Sequence, residues 1–287
     1  MTSLTTPRPS IADKRRSFRQ LHEAGCFAIP NPWDIGSARM LQGMGFAALA
    51  STSSGFAWSV GHPDNGITRD MALAHLAQLV AATDVPVNAD FESGFAADPA
   101  GVADSVRLAV ASGVAGLSIE DSTGDAARPL FTVDEAVARL KAARAAIDSA
   151  GGDTLLVGRA ECFLVGRPDL METIARLQAY ANVGADVLYA PGIRTPEQIS
   201  AVVAAVAPKP VNLLVGSVSD LTMADIAALG VRRVSVGGAM ARAAWGGMLR
   251  AARLLAEQGR FDGFADAASG QALNAFFTQD LSGRVNP

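Results

Sequence analysis

Eight short apolar runs, many of them β-branched, recur along this chain: Phe27–Pro30, Ala47–Ser51, Val85–Asp90, Ala115–Glu120, Thr154–Arg159, Asp186–Ala190, Pro210–Leu214 and Arg233–Val236. Between most of them lie stretches of helical periodicity with start signals. These include Asp98-Pro99, a capping box from Thr132 to Glu135, and Thr195-Pro196 with Gln198 three positions after the threonine. Gly113, Gly184 and Gly230 stand where helices would close. Strands that read as continuous apolar runs and alternate with helices indicate parallel pairing buried on both faces. Eight such units suffice to close a (β/α)8 TIM barrel of the α/β class, so we expect one domain across residues 1–287. An open doubly wound sheet is the alternative, but no G-x-G-x-x-G follows an early strand.

Two segments fall outside the repeat: a helix around Ile11–Ala24, and a tail from Gly259 that carries Phe261, Phe264, Phe276 and Phe277. Aromatic residues in a tail need a surface to cover, on this barrel or on another subunit.

The composition, 49% hydrophobic and 18% charged, supplies ample core material. A net charge of −4 and only three lysines (Lys14, Lys141, Lys209) offer no footprint for a nucleic acid. Met1–Ser10 lacks the apolar run of a secretory signal, and no apolar span has membrane length, so we expect a soluble cytoplasmic protein without a membrane partner. Cys26 and Cys162 are too few for a disulfide framework and read as packing residues.

In such barrels the chemistry lies at the C-terminal ends of the strands. The polar residues there are Asn31, Trp33 and Asp34; Ser51, Thr52, Ser53 and Ser54; Asn88, Asp90 and Glu92; Glu120 and Asp121; Arg159 and Glu161; and Asn212. Asp90, Glu92 and Glu120 would bring three carboxylates to one mouth, where they repel unless a cation or proton lies among them. Hard oxygen ligands suit Mg²⁺ or Mn²⁺, whereas zinc lacks histidine and cysteine partners at ligand spacing. Each acid taken singly could instead cap a helix or pair with an arginine. Arg159 ends an apolar strand, and reads either as a fork for a substrate carboxylate or as an internal salt bridge to Glu161 or Glu120. The Ser51–Gly55 run could offer hydroxyls and N–H groups to the same anion, or be a simple polar loop. No lysine ends a strand, which removes a Schiff-base nucleophile. Val236-Gly237-Gly238 could bind phosphate or could serve only close helix packing.

The ordered set Ser51-Thr52-Ser53-Ser54-Gly55, Gly61-His62-Pro63-Asp64, Asn88-Ala89-Asp90 before Gly94-Phe95, Ile119-Glu120-Asp121, Gly158-Arg159-Ala160-Glu161 and Val211-Asn212 resembles the isocitrate lyase/phosphoenolpyruvate mutase superfamily from about Phe18 to about Leu255. The resemblance implies that Asp90 holds Mg²⁺ directly or through water, with Glu120 and Asp64 in its water shell. It implies that Arg159 and Ser51–Ser54 grip the carboxylate of a 2-oxo acid, with Asn212 in the substrate pocket. It also implies a homo-oligomer, a dimer of dimers that exchanges the last barrel helix. Asn88 stands where the metal motif usually begins with a second aspartate, a charge that Glu92 would have to replace. Asp121–Arg128 replaces the lyases' Lys-Lys-Cys-Gly-His loop, and Ala190-Pro191-Gly192 stands where phosphonate-handling members carry a histidine. The expectation is a Mg²⁺-dependent lyase that cleaves a C–C bond in a small 2-oxo acid through an enolate, by decarboxylation of an oxaloacetate-like acid or by retro-aldol cleavage. Phosphoenolpyruvate/phosphonopyruvate mutase or P–C hydrolase chemistry is one alternative, and a non-catalytic 2-oxo-acid-binding barrel is another.

Overall fold

The computed structural model describes residues 8–284; the first part of the stretch read above for a leader lies outside them. Its strands are β1 (Phe27–Ile29), β2 (Leu49–Ala50), β3 (Val87–Asp90), β4 (Gly116–Glu120), β5 (Leu155–Arg159), β6 (Val187–Tyr189), β7 (Val211–Leu214) and β8 (Arg233–Ser235). Helix α1 (Ile11–Leu21) precedes them. The others are α2 (Ile35–Gly43), α3 (Ser53–Ser59), α4 (Arg69–Ala82), α5 (Pro99–Ala111), α6 (Val133–Ser149), α7 (Leu170–Asn182), α8 (Pro196–Val206), α9 (Met223–Ala228), α10 (Ala239–Gln258) and α11 (Gly270–Gly283). Every strand lies within its expected run, trimmed where the chain peels away into a loop. The expected caps form as well, with Thr132 and Glu135 bonding reciprocally, and Gly113 and Gly184 at φ of 91° and 99°.

All pairings are parallel, in the order β1-β8-β7-β6-β5-β4-β3-β2. At the remaining seam the Ala50 N–H donates to Pro30 O at 3.0 Å, and Asn31 Nδ2 donates to Ser51 O at 2.9 Å. The sheet is therefore the (β/α)8 barrel expected from the unit count.

The main core fills the ring between strands and helices, with Leu79, Val106, Leu117, Leu140 and Leu177 among its fully buried members. A second cluster lies inside the barrel, where Phe18 of α1 inserts from below against Ala115, Leu155 and Val187. Burying a phenylalanine contributes about 1.5–3 kcal/mol, which ties α1 to the barrel floor. Gly116 makes room for this plug, since a Cβ there would lie 2.8 Å from the Phe18 ring and 2.7 Å from Asn88 Oδ1. The inside of the barrel is thus apolar at its base, and polar groups gather above.

The aromatic tail divides. Phe276 of α11 lies so close over Gly43 of α2 that a Cβ would be 2.4 Å from its ring, and Asp280 faces Arg39 at 3.6 Å. Phe261 and Phe264 remain exposed. Of the twenty residues of α10 only Ala241 and Ala251 are buried, while Trp245, Met248, Leu249 and Leu255 face outward. Among the described residues no helix is long and apolar enough to cross a membrane.

Candidate active site

Asp90, Glu120 and Arg159 are the last residues of three neighbouring strands, so strand alternation sends all three side chains into the same mouth. There they meet. Arg159 Nη1 lies 3.2 Å from Asp90 Oδ1 and 3.1 Å from Glu120 Oε2, while its Nε donates to Glu161 Oε1. The guanidinium also stands 5.1 Å over the Tyr189 ring. One cation is therefore shared among three acids in a buried setting. Burial alone would lower the Arg159 pKa, but Glu120 and Glu161 carry it well above the usual arginine value. Glu120 moves upward because burial outweighs its share of that one cation. The internal salt bridge weighed from the sequence does form, to both of the acids considered and to Asp90.

Further groups steady this cluster. The Ser53 N–H and hydroxyl both donate to Asp90 Oδ2 at 2.9 Å, and the Asp90 N–H donates to Ser51 Oγ at 2.8 Å. Thr52 caps α3 by accepting from the Gly55 N–H, and its hydroxyl meets Ser54 Oγ at 3.1 Å. In this form the serine/threonine loop thus holds an acid of the site. Asp121 is buried below it, accepting from the Glu161 N–H at 2.8 Å and from Arg176 and Tyr180, and so fixes the loop that carries Glu161.

Glu92 follows β3 at φ 46°, a left-handed conformation uncommon for a side-chain-bearing residue. Its Oε1 is buried without a hydrogen-bond partner. Burial first, then the charges of Asp90 and Asp64, push its pKa up to about 8, with Arg159 opposing. Asp64, on the loop after α3, lines the neighbouring cavity, and its carboxyl is also raised, by burial and then by Asp90.

Asn88 takes a different direction. Its Oδ1 accepts from Arg233 Nη1 at 3.3 Å across the barrel, and its Nδ2 donates to Ala89 O at 3.1 Å. Asn212, expected in the substrate pocket, lines the cavity while accepting from Arg233 Nε at 2.8 Å and donating to Ser235 Oγ at 3.0 Å. Arg233 is 2% exposed and was not singled out from the sequence; the signal was an arginine on the inward parity of an apolar strand. Asn31 receives the N–H groups of Val236 and Gly237 on Oδ1 at 2.9 and 2.8 Å. A Cβ on Gly238 would lie 2.9 Å from Ser54 Oγ. The small-residue turn therefore serves closure and packing, with two of its donors already engaged.

Asp64, Asn88, Asp90, Arg159, Asn212 and Arg233, but not Glu92, Glu120 or Glu161, line an inner cavity of about 180 Å³. That is the share of roughly six water molecules, enough for a small acid and too little for a nucleotide. It adjoins an outer chamber of about 630 Å³, with Ser54, Leu164, Leu214, Gly237 and Gly238 lining both. The donor set suits a hard divalent cation, because Glu92 presents an orphan carboxylate oxygen in the field of Asp90 and Asp64. Among the described residues no group of three or more His, Cys, Asp or Glu side chains is disposed to hold a metal ion.

Comparison with known proteins places this geometry. The family described as phosphoenolpyruvate phosphomutase matches residues 18–256. A crystal structure of a candidate lyase/mutase from Burkholderia cenocepacia is 49% identical with a TM-score of 0.91, covering 93% of this chain and 97% of that one. An oxaloacetate decarboxylase of Paraburkholderia xenovorans is 31% identical over 233 residues, 77% of this chain and 74% of the relative. Oxaloacetate acetylhydrolase in complex with its product oxalate is 27% identical with a TM-score of 0.83, covering 94% and 96%.

Proposed function

Because the chain belongs to the phosphoenolpyruvate mutase/isocitrate lyase superfamily, we propose that it is a carbon–carbon lyase acting on a small 2-oxo acid, assisted by Mg²⁺. The observation that carries this reading is the ion-paired cluster of Asp90, Glu120 and Arg159, of which Asp90 and Arg159 line one small cavity together with Asp64, with the buried, unpartnered Glu92 oxygen in the field of Asp90 and Asp64. Relatives that act on oxaloacetate support the oxo-acid class.

Asp90 and Glu92 would hold the ion, with Asp64 and Glu120 accepting from its waters. Asn88 falls outside this set, because its oxygen is committed to Arg233. When bound, Mg²⁺ supplies Lewis acidity toward the carboxylate and keto oxygens of the substrate. The protein's own part is to fix charge in advance of the reaction. Breaking a bond to C3 leaves an electron pair that spreads into the keto group as an enolate. Arg159, already desolvated and held by Asp90, Glu120 and Glu161, offsets part of the negative charge that these acids and the developing enolate share, without reorganising. Ser51 and Ser53 keep Asp90 in one rotamer. Protonation of the carbanion carbon by solvent completes the cleavage. The exposed apolar face of α10 supports a homo-oligomer in which that helix packs on a second copy.

The test is product analysis by NMR with oxaloacetate, a 4-hydroxy-2-oxo acid and phosphonopyruvate, each with and without Mg²⁺. We expect Mg²⁺-dependent cleavage of a C–C bond and loss of at least about a hundredfold in rate on Arg159→Met. Turnover confined to the P–C bond of phosphonopyruvate would overturn the lyase assignment.

A further inference from the structure

Arg233 is a buried guanidinium whose protein partners are all neutral. Its Nε donates to Asn212 Oδ1 at 2.8 Å, and its Nη1 meets Asn88 Oδ1 at 3.3 Å and His22 Nε2 at 3.5 Å. His22 is uncharged there: burial first, and then Arg233 itself, push its pKa down to about 3. Its Nδ1 lies 2.7 Å from Phe18 O, which places the ring proton on Nδ1 and leaves Nε2 free to accept. Among the described residues no carboxylate lies within salt-bridge distance of Arg233, and Nη2 donates to no protein group. An isolated buried cation is strongly unfavourable unless an anion joins it.

That anion has a route, because Arg233 lines the same inner cavity as Asp90 and Arg159. In cross-strand register Glu120 pairs with Arg159, Arg159 with Tyr189, Tyr189 with Asn212 and Asn212 with Arg233. This row descends from the last residue of β4 to the first residue of β8. Arg159 therefore lies at the mouth and Arg233 at the floor. At the mouth the positive charge is already spent on three acids, so the floor holds the cavity's uncompensated cation.

We propose that Arg233, framed by Asn88 and Asn212, receives the second carboxylate of the substrate, the one remote from the Asp90 end of the cavity. The inference rests on the 2-oxo-acid reading and narrows it to dicarboxylic acids. The Nη2 group, whose N–H bonds meet no protein acceptor among the described residues, is the donor a carboxylate oxygen would take, while Asn88 and Asn212 each keep one amide N–H on Ala89 O and Ser235 Oγ.

The experiment is calorimetric titration, in saturating Mg²⁺, of malate, lactate, oxalate and inorganic phosphate into the wild type, Arg233→Met, Arg233→Lys and Asn88→Asp. Malate and lactate share a 2-hydroxy-carboxylate end and differ in the remote carboxylate; oxalate occupies only the mouth. We expect the wild type to prefer malate over lactate by about ten- to a hundredfold, the scale of one charge-assisted hydrogen bond. Arg233→Met should erase that preference and leave oxalate affinity within about threefold, while Arg233→Lys should retain part of it. Asn88→Asp is nearly isosteric and gives Arg233 an internal counter-ion, so it should also reduce the malate preference. It decides the matter if Arg233→Met does not fold. An undiminished malate preference in Arg233→Met or, failing that, in Asn88→Asp overturns the proposal, as does a wild type that favours phosphate over malate. Failure of the wild type to bind oxalate would instead overturn the 2-oxo-acid reading and the inference with it.

Discussion

Two arginines share one small cavity and are held in opposite ways. Arg159 at the mouth is ringed by Asp90, Glu120 and Glu161, whereas Arg233 at the floor touches two amides and a neutral imidazole. The same guanidinium chemistry has its pKa carried well above the usual value in one place and pushed down to about 10, by burial, in the other. The difference teaches that a buried charge is informative chiefly through its partners. The mouth carries surplus negative charge and suits a cation, while the floor carries surplus positive charge and suits an anion.

The largest expected effect follows from removing the cation at the mouth. Arg159→Met leaves buried carboxylates facing one another and should cost about 3–5 kcal/mol in urea denaturation at pH 7, with activity lost. Arg233→Met removes a charge that has no counter-ion and should cost at least about 2 kcal/mol less. Equal losses would erase the contrast. A third effect is a pH dependence. Glu92 has its pKa raised from an ordinary value near 4.5 to about 8, so between those values the folded metal-free protein holds a proton that the unfolded chain has released. The stability this contributes is fully present below about pH 4.5 and is lost as pH rises toward 8. Glu92→Gln should therefore raise the thermal midpoint of EDTA-treated protein at pH 8.5, with a much smaller change at pH 5. The smallest effect concerns the floor alone: Gly116→Ala presses on Asn88 Oδ1 and Phe18, and should cost about 1–3 kcal/mol and weaken malate binding more than oxalate binding.

The barrel was legible because parallel strands buried on both faces leave uninterrupted apolar runs, and eight of them close on themselves. The mouth was legible for a related reason. Asp90, Glu120 and Arg159 each end a strand, and the ends of neighbouring strands meet. The floor was not legible, because Arg233 bonds Asn88 across the barrel between strands that are not neighbours, at a separation of 145 residues. No local pattern encodes that pairing. The serine loop was ambiguous for another reason: hydroxyls that can bind a substrate anion can equally bind Asp90, and only the geometry assigns them to it.

The most direct measurement is titration of oxalate, a mimic of the enolate, into wild-type protein and the Asp90→Ala variant with and without Mg²⁺. We expect binding that requires both the ion and Asp90. Equal binding with and without Mg²⁺, or none in the folded wild type, would contradict an enolate-stabilising site at the mouth of this barrel.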